Sequence, residues 1–224
     1  DRAQFHIKKL LSGETFTRER GGEYLHSTAK NRPKENDLIG AVMILWTVIG
    51  KEPRILIQQE TMFKPQFDKE DGDMSPLAEG RRPFEPIGKL LRRMVWEEIG
   101  WGTNTMILNR HPIGYYHFSD HEKLPGGGWI AAIEAQVDPF VVLTRPTQSE
   151  DGETVNHMWV RPEDFFGKFP TRGAMIGIVG DWMRGDRDRV SQITPGRHDT
   201  QVVFERGFNG SSGSVIVQPR SRGF

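Results

Sequence analysis

The sequence contains no cysteine, and this absence excludes disulfide frameworks, thiolate zinc sites, iron–sulfur clusters and cysteine nucleophiles. It also has no net charge, because 30 lysines and arginines balance 30 aspartates and glutamates. No global field therefore draws the chain to nucleic acid or anionic lipid, so that any RNA contact must be local. The longest apolar run, Ile39 to Ile49, is shorter than the ~20 residues that span a bilayer, and we expect no membrane association.

The chain is long enough for one domain with appendages. Its 224 residues are 36% hydrophobic and include 13 phenylalanines and six tryptophans, so a sizeable core can form. Composition predicts a polar N-terminal arm, a folded domain and a C-terminal tail, over residues 1–37, 38–184 and 185–224. The tail holds one predicted hairpin, Gln201–Glu205 with Ser214–Val217. Neither arm has enough apolar residues for a core of its own, and we expect partners to hold both.

Strands and helices alternate irregularly along the predicted domain, which indicates a mixed α/β fold. The predicted strands are Ile39–Val48, Arg54–Glu60, Pro112–Phe118, Trp129–Val137 and Val155–Val160. The predicted helices are Glu85–Trp101, with Pro86 at its first position and Gly100 at its end, and Thr171–Met183. The apolar residues of Thr61–Gly80 follow neither a helical nor a strand period, and this segment is predicted to be one long loop. The glycine-rich segment Leu124–Gly128 is predicted to be a hairpin turn.

The first predicted helix places a carboxylate in its apolar stripe. At 100° per residue, Glu98 falls in the sector of Ile87, Leu91 and Met94. An ionised group there must be paired, hydrogen-bonded or bound to a cation, or its pKa rises. Glu98 therefore either faces a cation in a pocket or reaches past the stripe to solvent or an arginine. Glu97 lies on the flank, one turn after Arg93, where an i,i+4 ion pair is available.

The segment around this helix, EGRRPFEPIGKLLRRMVWEEIGW at 79–101, resembles the Nudix box. The box consists of a glycine, five residues, Glu, seven residues, Arg-Glu, an aliphatic residue, any residue, Glu-Glu, any residue, Gly and an aliphatic residue. The positions that match are Glu85, Arg93, Val95, Glu97, Glu98 and Gly100. The positions that differ are Glu79 for the leading glycine, Met94 for the glutamate after the arginine, and Trp101 for the final aliphatic residue. The arginines near the box are expected to offset its carboxylates.

The resemblance covers residues 38–183 and implies an α/β/α sandwich with a mixed sheet, extended by the two arms. It also implies a magnesium-dependent hydrolase, which would cleave a phosphoanhydride in nucleoside diphosphate derivatives or at RNA 5′ ends. Glu97 and Glu98 would be the magnesium ligands and catalytic residues. Glu85 and Arg93 would form the ion pair that fastens the loop to the helix.

Met94 stands where the family uses a glutamate for metal binding or as the base. A thioether can neither accept a proton nor hold magnesium well, and losing a general base costs a factor of about 10² to 10⁴. Some family members take the base from a late loop, where this chain has Glu150, Asp151 and Glu153. An ordinary solvated loop is the other interpretation of these acids.

Three aromatic residues of one predicted strand, Tyr115, Tyr116 and Phe118, are candidates for stacking on a substrate base. Their alternative is packing in the core. No residue type in the sequence decides between the two.

A second hypothesis is a catalytically inactive Nudix-like subunit of a ribonucleoprotein that needs no magnesium. The pieces IGYYHF and NHMWVRPEDF are similar to pieces of Nudix-like domains in the large subunit of mitochondrial ribosomes. This similarity implies a mitochondrial location, with protein and RNA neighbours at the terminal arms. A mitochondrial factor for messenger-RNA stability is a related third hypothesis. The chain begins with Asp1 rather than methionine, and we expect a preceding segment that carried any targeting signal.

Overall fold

The computed structural model describes residues 33–109, 111–145, 147, 149–150 and 152–185, and the backbone of three strands at 189–193, 200–205 and 214–219. The predicted N-terminal arm therefore lies outside the described residues up to residue 32. The same holds for Asp151 and for the parts of the predicted tail between and beyond those three strands.

A mixed sheet forms the centre of the domain. Strand β1 (Leu38–Ile49) pairs antiparallel with β2 (Glu52–Glu60) and parallel with β7 (Gly128–Val137). Strand β6 (Gly114–Phe118) is antiparallel to β7. Strand β9 (Arg189–Ile193), which lies within the predicted tail, is parallel to β6 and extends the sheet.

Four more strands pair with β1, β2 and β7. Strands β3 (Met74–Ser75) and β8 (Thr154–Val160) both pair with β2. Strand β4 (Leu77–Gly80) pairs with β1, and β5 (Met106–Leu108) pairs with β7. Strands β10 (Thr200–Glu205) and β11 (Ser214–Pro219) form a separate antiparallel pair, which confirms the hairpin predicted in the tail.

Four α-helices are described: α1 (Ile87–Ile99), α2 (Pro139–Thr144), α3 (Pro162–Gly167) and α4 (Gly173–Met183). Alternate residues of β1 belong to two separate hydrophobic clusters. Val42 and Ile44 pack in the cluster that contains α4, whereas Met43 and Leu45 pack in the cluster that contains α1. Because helices cover both faces, β1 reads as a nearly continuous apolar run. The predicted α/β/α sandwich with a mixed sheet is confirmed.

The predicted ends of α1 are partly confirmed. Gly100 ends the helix in the left-handed region, with φ of 69°, and its N–H donates to the carbonyl of Trp96. A residue without a side chain adopts this conformation at little cost. Pro86, however, is the residue before the helix and not its first residue. Within the described ranges, no helix has the length and apolarity needed to cross a membrane.

The prediction that Thr61–Gly80 is one loop was wrong. This segment contains a 3-10 turn at Pro65–Phe67 and the strands β3 and β4. These strands are too short to show a period, and they form because the distant strands β1 and β2 offer them backbone partners. Helix α2 and strand β5 were not predicted, although Asp138 caps α2 and Pro139 opens it, which is a recognisable signal.

Candidate active site

The loop before α1 is fastened to the helix by a buried ion pair. The guanidinium of Arg93 donates to both carboxylate oxygens of Glu85, from Nε at 3.0 Å and from Nη2 at 2.9 Å. The backbone N–H of Arg82 also donates to Glu85, and Arg93 Nη2 donates to the carbonyl of Gly80 at 2.6 Å. The hydrogen bonds from Arg93 lower the pKa of Glu85 to about 2. The structure thus contains the ion pair that the box resemblance implied between these two residues.

Glu97 is held by two arginines. Its Oε2 lies 2.8 Å from Arg93 Nη1, and its Oε1 lies 3.0 Å from Arg82 Nη2. Arg93 Nη1 also pairs with Glu79, the residue in place of the leading box glycine, at 3.0 Å. Of the arginines near the box, Arg82 and Arg93 thus offset its carboxylates, as predicted. Because both oxygens of Glu97 are paired with arginines, Glu97 is less available to a cation than an unpaired carboxylate is.

Glu98 differs from Glu97, because it is buried and no described residue forms an ion pair with it. Only 3% of the surface of this residue is exposed. Its Oε2 accepts hydrogen bonds from Gln58 Nε2 and Thr154 Oγ1, both at 2.8 Å. Among the described residues, none donates to Oε1 and none forms an ion pair with this carboxylate. Burial above all, and then the nearby charge of Glu60, raise the pKa of Glu98 to about 8, against the two hydrogen bonds.

A bulge in β8 turns two side chains towards Glu98. The register shifts between the pairs Ile57–Met158 and Gln59–Val155, and Asn156 has a φ of 50°. Residues 154 and 157 would lie on opposite faces of a regular strand. The bulge lets the hydroxyl of Thr154 reach the carboxylate of Glu98 while the imidazole of His157 lies close to the backbone of Glu98. Burial lowers the pKa of His157.

The late loop meets the end of α1 at the same place. The backbone N–H of Glu150 donates to the carbonyl of Glu97 at 2.8 Å, and the side chain of Glu150 is exposed. The carboxylate of Glu153 lies 3.0 Å from Lys64 Nζ and 3.6 Å from Lys69 Nζ. The fold therefore places the predicted acids Glu150 and Glu153 in the loop that packs against Glu97 and Glu98.

Sequence reasoning missed a buried charge network beside this loop. Glu60, which is 1% exposed, lies 2.6 Å from Lys69 Nζ and 3.2 Å from Arg172 Nη1, and it accepts a hydrogen bond from Ser75. Lys69 thus joins Glu60 to Glu153. Gln58 and Thr154, which hold Glu98, were also missed. The contacts of Arg172 with Glu60, and of Gln58 and Thr154 with Glu98, link residues far apart in the sequence, and only the polar end of β2 was visible as a signal.

Two of the three aromatic candidates belong to the core. Tyr116 is fully buried and donates a hydrogen bond to Asp181, and Phe118 is 1% exposed with its ring edge-on to Phe67. The prediction that Tyr116 and Phe118 stack on a substrate was therefore wrong, because α4 and the sheet cover this face of β6. Tyr115 lies on the other face and is half-buried, and its role in stacking stays a prediction.

The residues present fit a magnesium ion that is shared with a substrate, but not one enclosed by protein. In the part of the chain that the structure describes, no three His, Asp or Glu side chains converge as a metal site. Magnesium is commonly held by one or two carboxylates together with substrate phosphates and water. Glu98 meets this requirement, because no described residue donates a hydrogen bond to its carboxylate oxygen Oε1, which is a hard ligand. Met94 does not, since it is fully buried in the apolar cluster under α1.

Comparison with known proteins identifies the fold. No protein-family model and no curated protein match the sequence. An Ap4A hydrolase binary complex from C. elegans matches with a TM-score of 0.50 and 14% identity, over 65% of this chain and 95% of that chain. The NUDIX domain of Shewanella oneidensis NrtR, complexed with ADP ribose, has a TM-score of 0.48, 11% identity and coverages of 70% and 91%. A mutT/nudix family protein from Listeria innocua has a TM-score of 0.47, 18% identity and coverages of 68% and 95%.

This chain therefore has the Nudix fold. At such low identity the likeness establishes the architecture, and what the protein does has to follow from its own side chains.

Proposed function

We propose that this protein is a Nudix-type hydrolase that cleaves a phosphoanhydride bond in a nucleoside diphosphate derivative with the help of magnesium. Glu98 is the observation that carries the proposal. It is a buried carboxyl group with no counter-cation among the described residues and with one oxygen free of donors. Leaving such a group ionised is costly, and a divalent cation that arrives with a diphosphate would offset the cost. The C. elegans neighbour, named as an Ap4A hydrolase, supports this substrate class.

The protein residues would divide the work as follows. Gln58 and Thr154 fix Oε2 of Glu98 and leave Oε1 for the cation. When bound, magnesium would neutralise charge on the phosphate oxygens. The Glu85–Arg93 pair keeps the preceding loop in position.

Arg82 is the residue best placed to exchange partners. Its side chain is 64% exposed while it pairs with Glu97, and a guanidinium binds a phosphate as well as a carboxylate. A substrate phosphate that takes Arg82 would leave Oε1 of Glu97 open for the cation. Glu97 would then become the second ligand that the box resemblance implies.

Met94 cannot accept a proton, and Glu97 and Glu98 are assigned to the cation. The residue that accepts the proton therefore lies outside the helix. We assign the role to Glu150 rather than Glu153. The side chain of Glu150 is exposed, while its backbone is anchored at Glu97. Glu153 is already engaged with Lys64 and Lys69.

The test is a hydrolysis assay with magnesium on ADP-ribose, dinucleoside polyphosphates and 5′-triphosphate RNA. We expect turnover of at least one of these compounds, with a loss of about 10²-fold or more in Glu98→Gln and in Glu150→Gln. Glu122→Gln, which changes an exposed glutamate in the β6–β7 turn, is the matched control and should keep full activity. No turnover by the unchanged protein above the Glu98→Gln background would remove the enzyme proposal.

A catalytically inactive subunit of a mitochondrial ribosome or another ribonucleoprotein is the second candidate. It is favoured by the burial of Met94 at the usual base position and by the two arginines that occupy Glu97. In that case we propose that the terminal arms contact neighbouring protein and RNA. Absence of turnover combined with stable residence in a ribonucleoprotein particle, seen by native mass measurement, would favour this candidate over the enzyme.

A further inference from the structure

Strand β2 carries a buried glutamine on the face that packs against α1. The side chain two positions before it, Leu56, belongs to the apolar cluster under this helix. Gln58 itself is only 1% exposed, and its Nε2 donates to Glu98 Oε2 at 2.8 Å. Its Oε1 is buried as well, and no described residue donates a hydrogen bond to it. Because buried polar atoms are nearly always paired, this oxygen needs a partner beyond the described side chains.

Two oxygens without donors belong to the two groups that this one hydrogen bond joins. Gln58 Oε1 is part of the amide that donates the bond, and Glu98 Oε1 is part of the carboxylate that accepts it. Thr154 Oγ1 donates to the other carboxylate oxygen, Oε2. Among the described residues, no donor therefore serves either Oε1 atom. Amide and carboxylate oxygens are the ligands that hard divalent cations prefer.

The charges around this pair favour a neutral oxygen at position 58. Glu60, two residues further along β2, is 1% exposed and is already paired with Lys69 and Arg172. Glu98 has no such ion pair within the described part of the chain. A third carboxylate beside these two acids would repel both of them whenever no cation is bound. The amide of Gln58 instead adds a ligand oxygen without adding a charge.

The chain reaches the surface immediately beyond this pair. Glu60 is followed by Thr61, which is exposed and whose hydroxyl donates to the backbone carbonyls of Gly152 and Glu153 in the late loop. Gly152 is exposed too, and Thr154 follows it by two residues. The pair is therefore next to an exposed loop and not in the centre of the core.

We propose that Gln58 Oε1 is a ligand of the same divalent cation as Glu98 Oε1. The inference rests on the proposed function for the presence of that cation, and it adds a residue of β2 to the site. The amide supplies from β2 the hard oxygen that the thioether of Met94 cannot supply from α1. This oxygen does not depend on the release of Glu97 from its arginines.

The experiment measures Mn²⁺ binding without nucleotide, from the electron paramagnetic resonance signal of the free ion. Mn²⁺ takes the same oxygen ligands as magnesium. Gln58→Met keeps the length of the side chain and removes both the oxygen and the hydrogen bond to Glu98. Thr154→Val is the matched comparison, because it removes one hydrogen bond to the same carboxylate oxygen and no ligand. We expect the affinity to fall about 10-fold in Thr154→Val and about 100-fold or more in Gln58→Met.

An exchange of the two groups separates a ligand from a residue that only positions Glu98. Glu98→Gln alone should lose Mn²⁺ binding. Adding Gln58→Glu restores one carboxylate and one amide in exchanged positions, so the affinity should recover to within about 10-fold of the unchanged protein. A residue that acts only through its hydrogen bond would give no recovery. Gln136→Met, in a separate cleft lined by Trp46 and Ile107, is the control and should leave the affinity unchanged.

Recovery in the exchanged protein would uphold the inference even if no nucleotide is hydrolysed, in which case only the proposed reaction fails. No recovery, with equal losses in Gln58→Met and Thr154→Val, would overturn it while Glu98 keeps its role in the proposed reaction. Absence of Mn²⁺ binding by the unchanged protein would also overturn it, and the hydrolysis assay would still decide the reaction. Melting temperatures without Mn²⁺ identify a variant that does not fold, and the other of the two tests at position 58 then decides.

Discussion

Replacing Glu98 with glutamine should stabilise the protein at neutral and basic pH. Glutamine has nearly the same shape, and its carbonyl oxygen can accept the hydrogen bonds from Gln58 and Thr154. It carries no charge, so it removes the cost of burying an ionised carboxylate without a counter-cation. A residue kept at the expense of stability is typical of a functional site.

The magnitude follows from the pKa of Glu98, which burial raises from 4.5 to about 8. A raised carboxyl pKa means that the native state holds a proton that the unfolded chain has lost. The stability from this group is therefore complete below pH 4.5 and is lost as the pH rises through about 8. At 1.36 kcal/mol for each pH unit the full loss is about 5 kcal/mol, and structural relaxation reduces it. We expect about 2 to 4 kcal/mol between pH 5 and pH 8.

The assay is urea unfolding of both proteins at several pH values, without divalent cations. In the difference in unfolding free energy between Glu98→Gln and the unchanged protein, the contributions of the titratable groups that both proteins share cancel. It should be close to zero at pH 5 and should grow in favour of Glu98→Gln towards pH 8. A difference that is independent of pH, or one that favours the glutamate at pH 8, would refute the reasoning about a buried carboxyl that has no ion-pair partner among the described residues.

Four further substitutions, at three positions, test the residues that surround the site. Glu85→Gln should lower the free energy of unfolding by about 1 to 3 kcal/mol at pH 7. Because the pKa of Glu85 is lowered to about 2, the same substitution should cost less at pH 3. An equal cost at both pH values would contradict the ion pair with Arg93. Met94→Leu should change the unfolding free energy by less than about 1.5 kcal/mol, whereas Met94→Glu should cost about 3 kcal/mol or more; comparable melting temperatures would show that residue 94 is not in the core. Gly100→Ala should cost about 1 kcal/mol in the same melting experiment because of its positive φ, and no cost would argue against the left-handed cap.

Helix α1 could be predicted because its signals are local: an apolar stripe of helical period and a terminal Gly100 are both visible within one short segment. The ion pair between Glu85 and Arg93 was implied by the resemblance to the box, and the structure contains it. The same helical period predicts that Glu98 lies in the buried stripe, and its 3% exposure confirms that burial.

The surroundings of Glu98 could not be predicted in the same way. Gln58 and Thr154 reach it from strands that lie 40 and 56 residues away in the chain. The bulge at Asn156 depends on how β8 pairs with β2; asparagine tolerates the positive φ found there, but a single asparagine does not predict a bulge. Tyr116 and Phe118 were candidates for substrate contact because the sequence does not show which face of a strand is buried. Only the packing of α4 shows that their face belongs to the core.

The most direct test of the account is the rate of magnesium-dependent nucleotide hydrolysis measured side by side for the unchanged protein and Glu98→Gln. The account predicts turnover of a nucleoside diphosphate derivative that disappears when magnesium is chelated and falls at least about 100-fold in the variant. Equal rates for the two proteins, or no reaction with any such compound, would contradict the assignment of Glu98 as the residue that holds the metal.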